Sequence, residues 1–235
     1  MSNTSTEAIV LKKIKYKENR LIVHLFTKDY GRIAGITTLS KKRKMANYFQ
    51  PLYHLSFEVN YNEKKTLHPL QQVRFSAPYT HIPFSVKKHT VAQFLAEILG
   101  KVLAENEPDQ ELFRFFTNAI HLYDQINDNI RPFHLLFLIH LTRFLGFYPG
   151  RKTSSNDFFS PSEGTFVPQI MHDTMPDNLS SIFENILNVP FSKFNEISIT
   201  GRAQSELLDK VLEFYKIHLN LSNLKSYSIL KQVFQ

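Results

Sequence analysis

The sequence predicts an α+β chain in two parts, a five-stranded OB-type β-barrel over residues 1–80 and an all-α helical domain over residues 81–235. Three observations predict it. Apolar and polar residues alternate in short runs between Glu7 and Tyr79, the period of strands. From Phe84 onward apolar residues recur at the spacing of one helix face. Charge divides at the same point: residues 1–80 hold 14 Lys and Arg against 5 Asp and Glu, while the remaining 155 hold 14 against 16.

The strands follow in order. The run EAIVLKKIKYK alternates from Glu7, and RLIVHLFT follows with Leu21, Val23 and Leu25 on one face and Ile22 and Phe26 on the other. Asp29-Tyr30-Gly31-Arg32 is a turn signal that leads into GRIAGITTL. After a basic connection, LYHLSFEVNY puts Leu55, Phe57, Val59 and Tyr61 on one face. Asn62-Glu63-Lys64-Lys65 is a polar turn, and TLHPLQQVRFS is a fifth strand whose Pro69 suggests an edge or a bulge. Five short strands in about 75 residues close most readily into a small barrel. Strand count alone does not separate an OB-type barrel from an SH3-like one.

Beyond Phe84, Val91, Phe94, Leu95, Ile98, Leu99 and Val102 form one apolar stripe within Val86–Leu103. Pro108 suits the first turn of a second helix and Pro132 that of a third. The third, expected to run to about Phe147, is apolar nearly all round and so belongs in a core. Residues 150–175 are irregular and rich in Ser, Asp, Gly and Pro. Further helices are expected over 177–188, 201–219 and 224–234.

The chain has no cysteine, which excludes disulfides, thiol nucleophiles and cysteine-held metal, and fits a reducing compartment. The opening MSNTSTEAIVLKK places polar residues first and lysines last, the wrong order for a secretory leader, so a cytoplasmic location is expected. The longest apolar run, Leu135 to Ile139, is far short of the roughly 20 residues that cross a bilayer. No phosphate loop, dinucleotide-binding glycine pattern, nucleophile elbow or H-E-x-x-H pair is present. His134 and His140 are six apart and do not share a helix face. The acidic group Glu105, Glu107, Asp109 and Glu111 surrounds a helix start, where negative charge is favoured. No catalytic residue, metal or cofactor is therefore expected.

What remains is the basic barrel. Lys41-Lys42-Arg43-Lys44 is the densest charge run and falls between the third and fourth strands. Lys12, Lys13, Arg20, Arg32, Lys64, Lys65 and Arg74 lie on the same predicted barrel. Cations in this setting serve phosphates, and a neighbouring aromatic can stack on an unpaired base. Tyr48 and Phe49 suit that role, but Phe49-Gln50-Pro51-Leu52 equally suits anchoring the loop in the core.

The order of these segments resembles a known family. The stretch from Glu7 to Lys44, Phe49-Gln50-Pro51-Leu52, RFLGFYPG (Arg143–Gly150), FFSPSEGTFVP (Phe158–Pro168), LEFYKIHLN and LKSYSILKQVF together resemble the bacterial RecO recombination mediators over essentially the whole chain. The resemblance implies a nucleoid-associated protein that binds single- and double-stranded DNA and anneals complementary strands. It further implies contact with the acidic C-terminal tail of single-strand binding protein and, with the partner RecR, help in loading RecA recombinase. The tail site lies on the helical domain in that family, and Arg131, Arg143, Arg151 and Lys152 are its candidate cations here. Many members hold zinc through four cysteines near 150–175. This chain has none, so Phe158, Phe159 and Phe166 are expected to hold that loop by packing. Two other readings stay open: an adaptor whose barrel binds an acidic protein instead of DNA, and a nucleic-acid enzyme with an unrecognised catalytic pair.

Overall fold

The computed structural model describes residues 3–39, 45–154 and 157–234. It divides into two compact units, one running to Gln125 and the other starting at Ile126.

In the first unit, β1 (Thr4–Tyr16), β2 (Arg20–Thr27), β3 (Gly31–Thr38), β4 (His54–Val59) and β5 (His68–Phe75) form a closed barrel in the order β1-β2-β3-β5-β4. β4 returns antiparallel onto β1, and β3 meets β5 in parallel through only two residue pairs. This is the OB-type closure. Val10, Leu21, Val23, Leu25, Leu55, Phe57 and Val59 fill the interior, as alternation requires. Gly31 opens β3 at φ +64°, and a Cβ there would meet the backbone of Glu107 at 2.4 Å, so glycine is needed twice over. Pro69 pairs opposite Ile36 in the short parallel contact. The bulge lies just beyond it: between the pairs Ser56↔Arg74 and Glu58↔Gln71 one strand carries an extra residue, with Gln72 at φ +49°.

α1 (Val86–Val102) and α2 (Gln110–Gln125) complete this unit. The change of period near residue 80 therefore marks where strands give way to helices, whereas the compact unit runs further, because Phe113 and Phe116 of α2 cover Phe26 of β2. Pro108 lies before the cap instead of within the first turn. Asp109 caps α2, accepting from Leu112 N at 2.9 Å through its carboxylate and from Phe113 N through its carbonyl. The approach to α1 is tied down by the buried carboxylate of Asp124, which accepts from Thr80 N, His81 N, Ile82 N and the Thr80 hydroxyl at 2.7–2.9 Å. The buried Lys88 ammonium donates to the carbonyls of Tyr123 and Asp124, both at 2.8 Å.

The second unit is built around α3 (Phe133–Phe144), which is buried on almost every side. It ends three residues before the expected Phe147, because Gly146 takes φ +82° there. α4 (Asp177–Asn188), α5 (Gly201–Leu219) and α6 (Lys225–Phe234) follow, and Tyr215 of α5 donates to Leu138 O at 2.6 Å. This part is not purely helical. The segment read as irregular holds a two-stranded hairpin, β6 (Phe158–Ser160) with β7 (Thr165–Val167), turned at Gly164 with φ +65°. Strands of three residues are too short to leave a period in the sequence.

Phe159 is fully buried against Phe166, Phe183 and Phe214, with ring centroids 5.3, 4.4 and 5.6 Å away. Two carboxylates organise the loops around it. Asp173 accepts from Ser162 N at 2.8 Å and the Ser160 hydroxyl at 3.1 Å; Asp157 accepts from Ser154 N and the Thr153 hydroxyl at 2.8 and 2.9 Å. Both carboxylates are thus occupied by N–H and O–H donors and no thiol is available, so this region does not fit a zinc ion.

Candidate nucleic-acid interface

An open basic face of the barrel arises from one extra residue in β1. Pairing with β2 passes from Val10↔Leu25 directly to Lys12↔His24, so Leu11 is bulged and the alternation shifts phase. Val10 and Leu11 are both buried as a result. Beyond the bulge, Lys12, Ile14 and Tyr16 share a face with His24, Ile22 and Arg20, and Ala34, Ile36 and Thr38 of β3 continue it.

The two ends of this face differ. At one end Ile9 and Phe26 are sealed, with Phe113 and Phe116 of α2 placed 6.2 and 5.4 Å from the Phe26 ring. At the other end Ile14 and Tyr16 remain 39% and 40% exposed, flanked by the exposed cations Lys12 and Arg20. Lys17 lies over the Tyr16 ring at 5.5 Å. Next to Ala34 the face dips into a polar hollow of about 100 Å³ lined by His24, Lys65, His68, Glu63 and Glu105. Burial, with Lys12 and Arg32 nearby, holds the His24 imidazole below its ordinary pKa, and Glu105 opposes them. A phosphate entering here would favour the imidazolium.

The predicted cations separate accordingly. Lys12, Arg20 and Lys65 border the open face, and Lys64 sits beside Lys65 in the β4–β5 turn, whose shape Asn62 sets by accepting from Lys64 N at 2.9 Å. Arg32 is committed elsewhere: Nη2 pairs with Glu105 at 3.0 Å and Nε donates to Leu103 O at 2.9 Å. Lys13 falls on the opposite side of β1, where Nζ donates to Ala46 O at 3.3 Å, and burial lowers its pKa. Arg74 lies opposite Ser56, on the β4–β5 side of the barrel. Lys41, Lys42, Arg43 and Lys44 lie outside the described residues. Phe49 is fully buried, so the core-anchoring reading holds for it, whereas Tyr48 is half-exposed. Ile14, Tyr16 and His24 were not singled out by sequence. The available signal was the run KKIKYK, whose cations continue β1 past its apolar stretch.

The second unit holds a distinct concavity of about 490 Å³. Leu208, Leu230 and Phe234 supply its apolar lining, His134 and Gln204 polar groups, and Arg131, Arg202 and Lys231 its positive charge beside Glu206. Gly201 lets Arg131 approach: a Cβ there would stand 2.9 Å from the guanidinium. Of the four candidate tail cations only Arg131 lines this concavity. Arg143 lies over the Tyr148 ring at 4.2 Å and donates to its hydroxyl at 2.8 Å. Lys152 pairs with Glu184 at 3.4 Å, and Arg151 is exposed. Among the described residues no cluster of His, Cys, Asp or Glu suits a metal ion, and no helix is long and apolar enough to cross a membrane.

Comparison with known proteins adds the family. Residues 1–79 match the model of the recombination protein O N-terminal region, and residues 84–228 match that of its C-terminal region. The chain is 32% identical to the DNA repair protein RecO of Flavobacterium psychrophilum and 30% identical to that of Azobacteroides pseudotrichonymphae. Each match covers 97% of this chain and 98% of the relative. The DNA repair protein RecO of Bacteroides fragilis is 29% identical over the same shares.

Proposed function

The chain belongs to the RecO family of DNA repair proteins, and on that footing we propose that it binds single- and double-stranded DNA through its barrel and anneals complementary strands. With RecR it would help load RecA onto strands coated by single-strand binding protein. The observation that carries this reading is the open β1–β2–β3 face, where Lys12 and Arg20 flank exposed Ile14 and Tyr16 and Lys65 borders the hollow beside His24.

The chemistry follows from charge. Cations directed at phosphates read no sequence, so any strand is a ligand. Holding two strands against one basic surface reduces their mutual repulsion and favours pairing, with no bond made or broken. In this reading the protein is a mediator and not a catalyst. Lys64, Lys65, Arg74, Lys13 and the Lys41–Lys44 run would extend the phosphate contacts around the barrel, while Arg32 acts indirectly by fixing β3.

The concavity beside Arg131 suits the acidic tail of single-strand binding protein. A terminal aromatic ring would lie on Leu208, Leu230 and Phe234, with the carboxylates on Arg131 and Lys231. Lys231 now pairs with Asp209 at 2.9 Å and Arg202 with Glu206 at 2.8 Å, surface pairs that an incoming carboxylate can replace.

The test is annealing of two complementary fluorescent oligonucleotides without nucleotide, with binding measured across a salt series. The expected result is ATP-independent annealing and affinity that falls linearly with salt on a log–log plot. No binding at low salt, together with capture of a single acidic protein, would establish the adaptor reading instead. A labelled acidic peptide ending in phenylalanine should bind the wild type, and Arg131→Ala with Lys231→Ala should abolish that binding without changing DNA affinity.

A further inference from the structure

A second feature of the barrel lies away from the open face. Tyr48 and Phe75 stack face to face, with ring centroids 4.3 Å apart and planes only 9° from parallel. Phe75 ends β5 and is 38% exposed; Tyr48 follows the short 3-10 turn Met45–Asn47 and is half-exposed. Tyr53 lies beneath, its ring 5.8 Å from that of Phe75, and Tyr79 adjoins Tyr53 at 5.6 Å and donates to Leu52 O. The buried rings therefore support the pair from the core side.

One cation stands close by: Lys13 Nζ reaches Ala46 O, two residues before Tyr48. Arg74 pairs opposite Ser56 and Phe75 opposite Leu55, so these two neighbours leave opposite faces of β5. A backing of buried rings holds the pair in place, so the arrangement is formed before any ligand arrives. Aromatic rings flanked by phosphate-binding cations take an unpaired base on the free π face, which every base possesses. A duplex keeps its bases stacked inside and offers no such partner. Neither cation-only docking of an acidic protein nor simple core closure requires two parallel rings left partly open to solvent.

We propose that the Tyr48–Phe75 pair is a base-stacking site that captures one unpaired nucleobase of single-stranded DNA, with Lys13 taking a neighbouring phosphate. The proposal rests on the DNA-binding reading and adds to it a physical basis for telling single strands from duplexes. Annealing then has a direction: the site holds a base while it is unpaired and loses its ligand once the base pairs.

The chain contains no tryptophan, so Tyr48→Trp introduces a single indole that can be excited apart from the tyrosines. The probes are oligothymidylate and a blunt duplex of equal length, each titrated while anisotropy of a label on the DNA reports binding independently. The expected result is strong quenching of the indole by oligothymidylate and little change with the duplex. Tyr48→Leu, which keeps the apolar cover but removes the ring, should weaken single-strand binding about 5- to 150-fold, leave duplex binding unchanged, and leave the salt slope unchanged. Indole emission that does not respond while anisotropy reports binding overturns the stacking site and leaves the DNA reading intact. Equal weakening of both ligands by Tyr48→Leu also overturns it. Absence of binding to either probe by the wild type refutes the DNA reading itself, and the stacking site with it.

Discussion

The bulge at Leu11 makes a sharp prediction, because it decides which lysines stand on the proposed DNA face. Lys12 and Arg20 stand on the open face; Lys15 pairs with Leu21 on the other side of the same hairpin, and Lys28 lies beyond the far end of β2. Two double variants, Lys12→Ala with Arg20→Ala and Lys15→Ala with Lys28→Ala, remove the same charge from the same unit. All four side chains are exposed, so neither pair should change stability by more than about 1 kcal/mol. Each phosphate contact contributes about 0.7 to the log–log salt slope on single strands and about 0.9 on duplexes. Losing two contacts should flatten the slope by about 1.4 and 1.8, and at about 0.1 M salt should weaken single-strand binding about 25-fold. The off-face pair should leave the slope unchanged, since overall charge alters affinity only through screened, long-range attraction. Fluorescence anisotropy on a labelled oligonucleotide at four or five salt concentrations gives both numbers. Equal flattening by the two variants would show that overall charge, not the β1–β2–β3 face, governs binding, and the site assignment would fall.

Binding should also take up a proton at His24. Its imidazole is held below the ordinary pKa when the face is free, and phosphate would raise it, so affinity should increase as pH falls from 8 to 6. His24→Asn should remove that dependence; an unchanged pH profile in the variant would place the proton elsewhere. Asp124→Ala strips the acceptor from three backbone N–H groups, of which that of Ile82 is buried, and should cost about 2–4 kcal/mol by urea unfolding followed by circular dichroism. Burial pushes the Asp124 carboxyl up, but the N–H donors of Ile82, Thr80 and His81 hold it below the usual range. Its stabilisation is therefore complete at neutral pH and disappears as pH falls through the lowered folded value, so Asp124→Asn should shallow the acid limb of the stability curve. In the second unit, thermal unfolding should be indifferent to strong chelators but sensitive to Asp173→Ala, which leaves Ser160 and Ser162 without their acceptor. A chelator-induced loss of structure would show a metal where the carboxylates are taken to be occupied.

The barrel was legible because its strands alternate over six to thirteen residues, and its helices because their apolar stripes run for three turns or more. The site was less so, for a specific reason. Val10 and Leu11 are both apolar, and two apolar neighbours read equally as continued strand or as a bulge. The alternation on either side is out of phase by one residue, so sequence alone cannot say whether Lys12 or Lys13 joins the outward face. The surroundings of Arg32 were illegible for another reason: its partners Leu103 and Glu105 lie more than 70 residues along the chain. The concavity near Arg131 draws its lining from α3, α5 and α6, segments separated by about 70 and 100 residues, and no local pattern announces such an assembly.

The contrast between the two ends of the β1–β2 face bears on the proposed DNA-binding role of the barrel. Strand pairs are amphipathic only where something covers the apolar side, and here Phe113 and Phe116 cover Ile9 and Phe26 but the same strands run on past α2. Extending β1 to Tyr16 pairs it with Val23 and Leu21 of β2 but leaves Ile14 and Tyr16 39% and 40% exposed on the outer face. The exposed residues are interleaved with Lys12 and Arg20, which discourages edge-to-edge association with another copy. A surface that repels its own kind, carries cations and still presents apolar and aromatic groups matches a polyanion whose bases can be uncovered. An acidic protein would satisfy the cations but brings a planar partner for Tyr16 only where an aromatic side chain adjoins its carboxylates, whereas every nucleotide carries a base. The difference is measurable: single strands should compete with duplex at equal phosphate concentration only where unpaired bases add contacts beyond the phosphates.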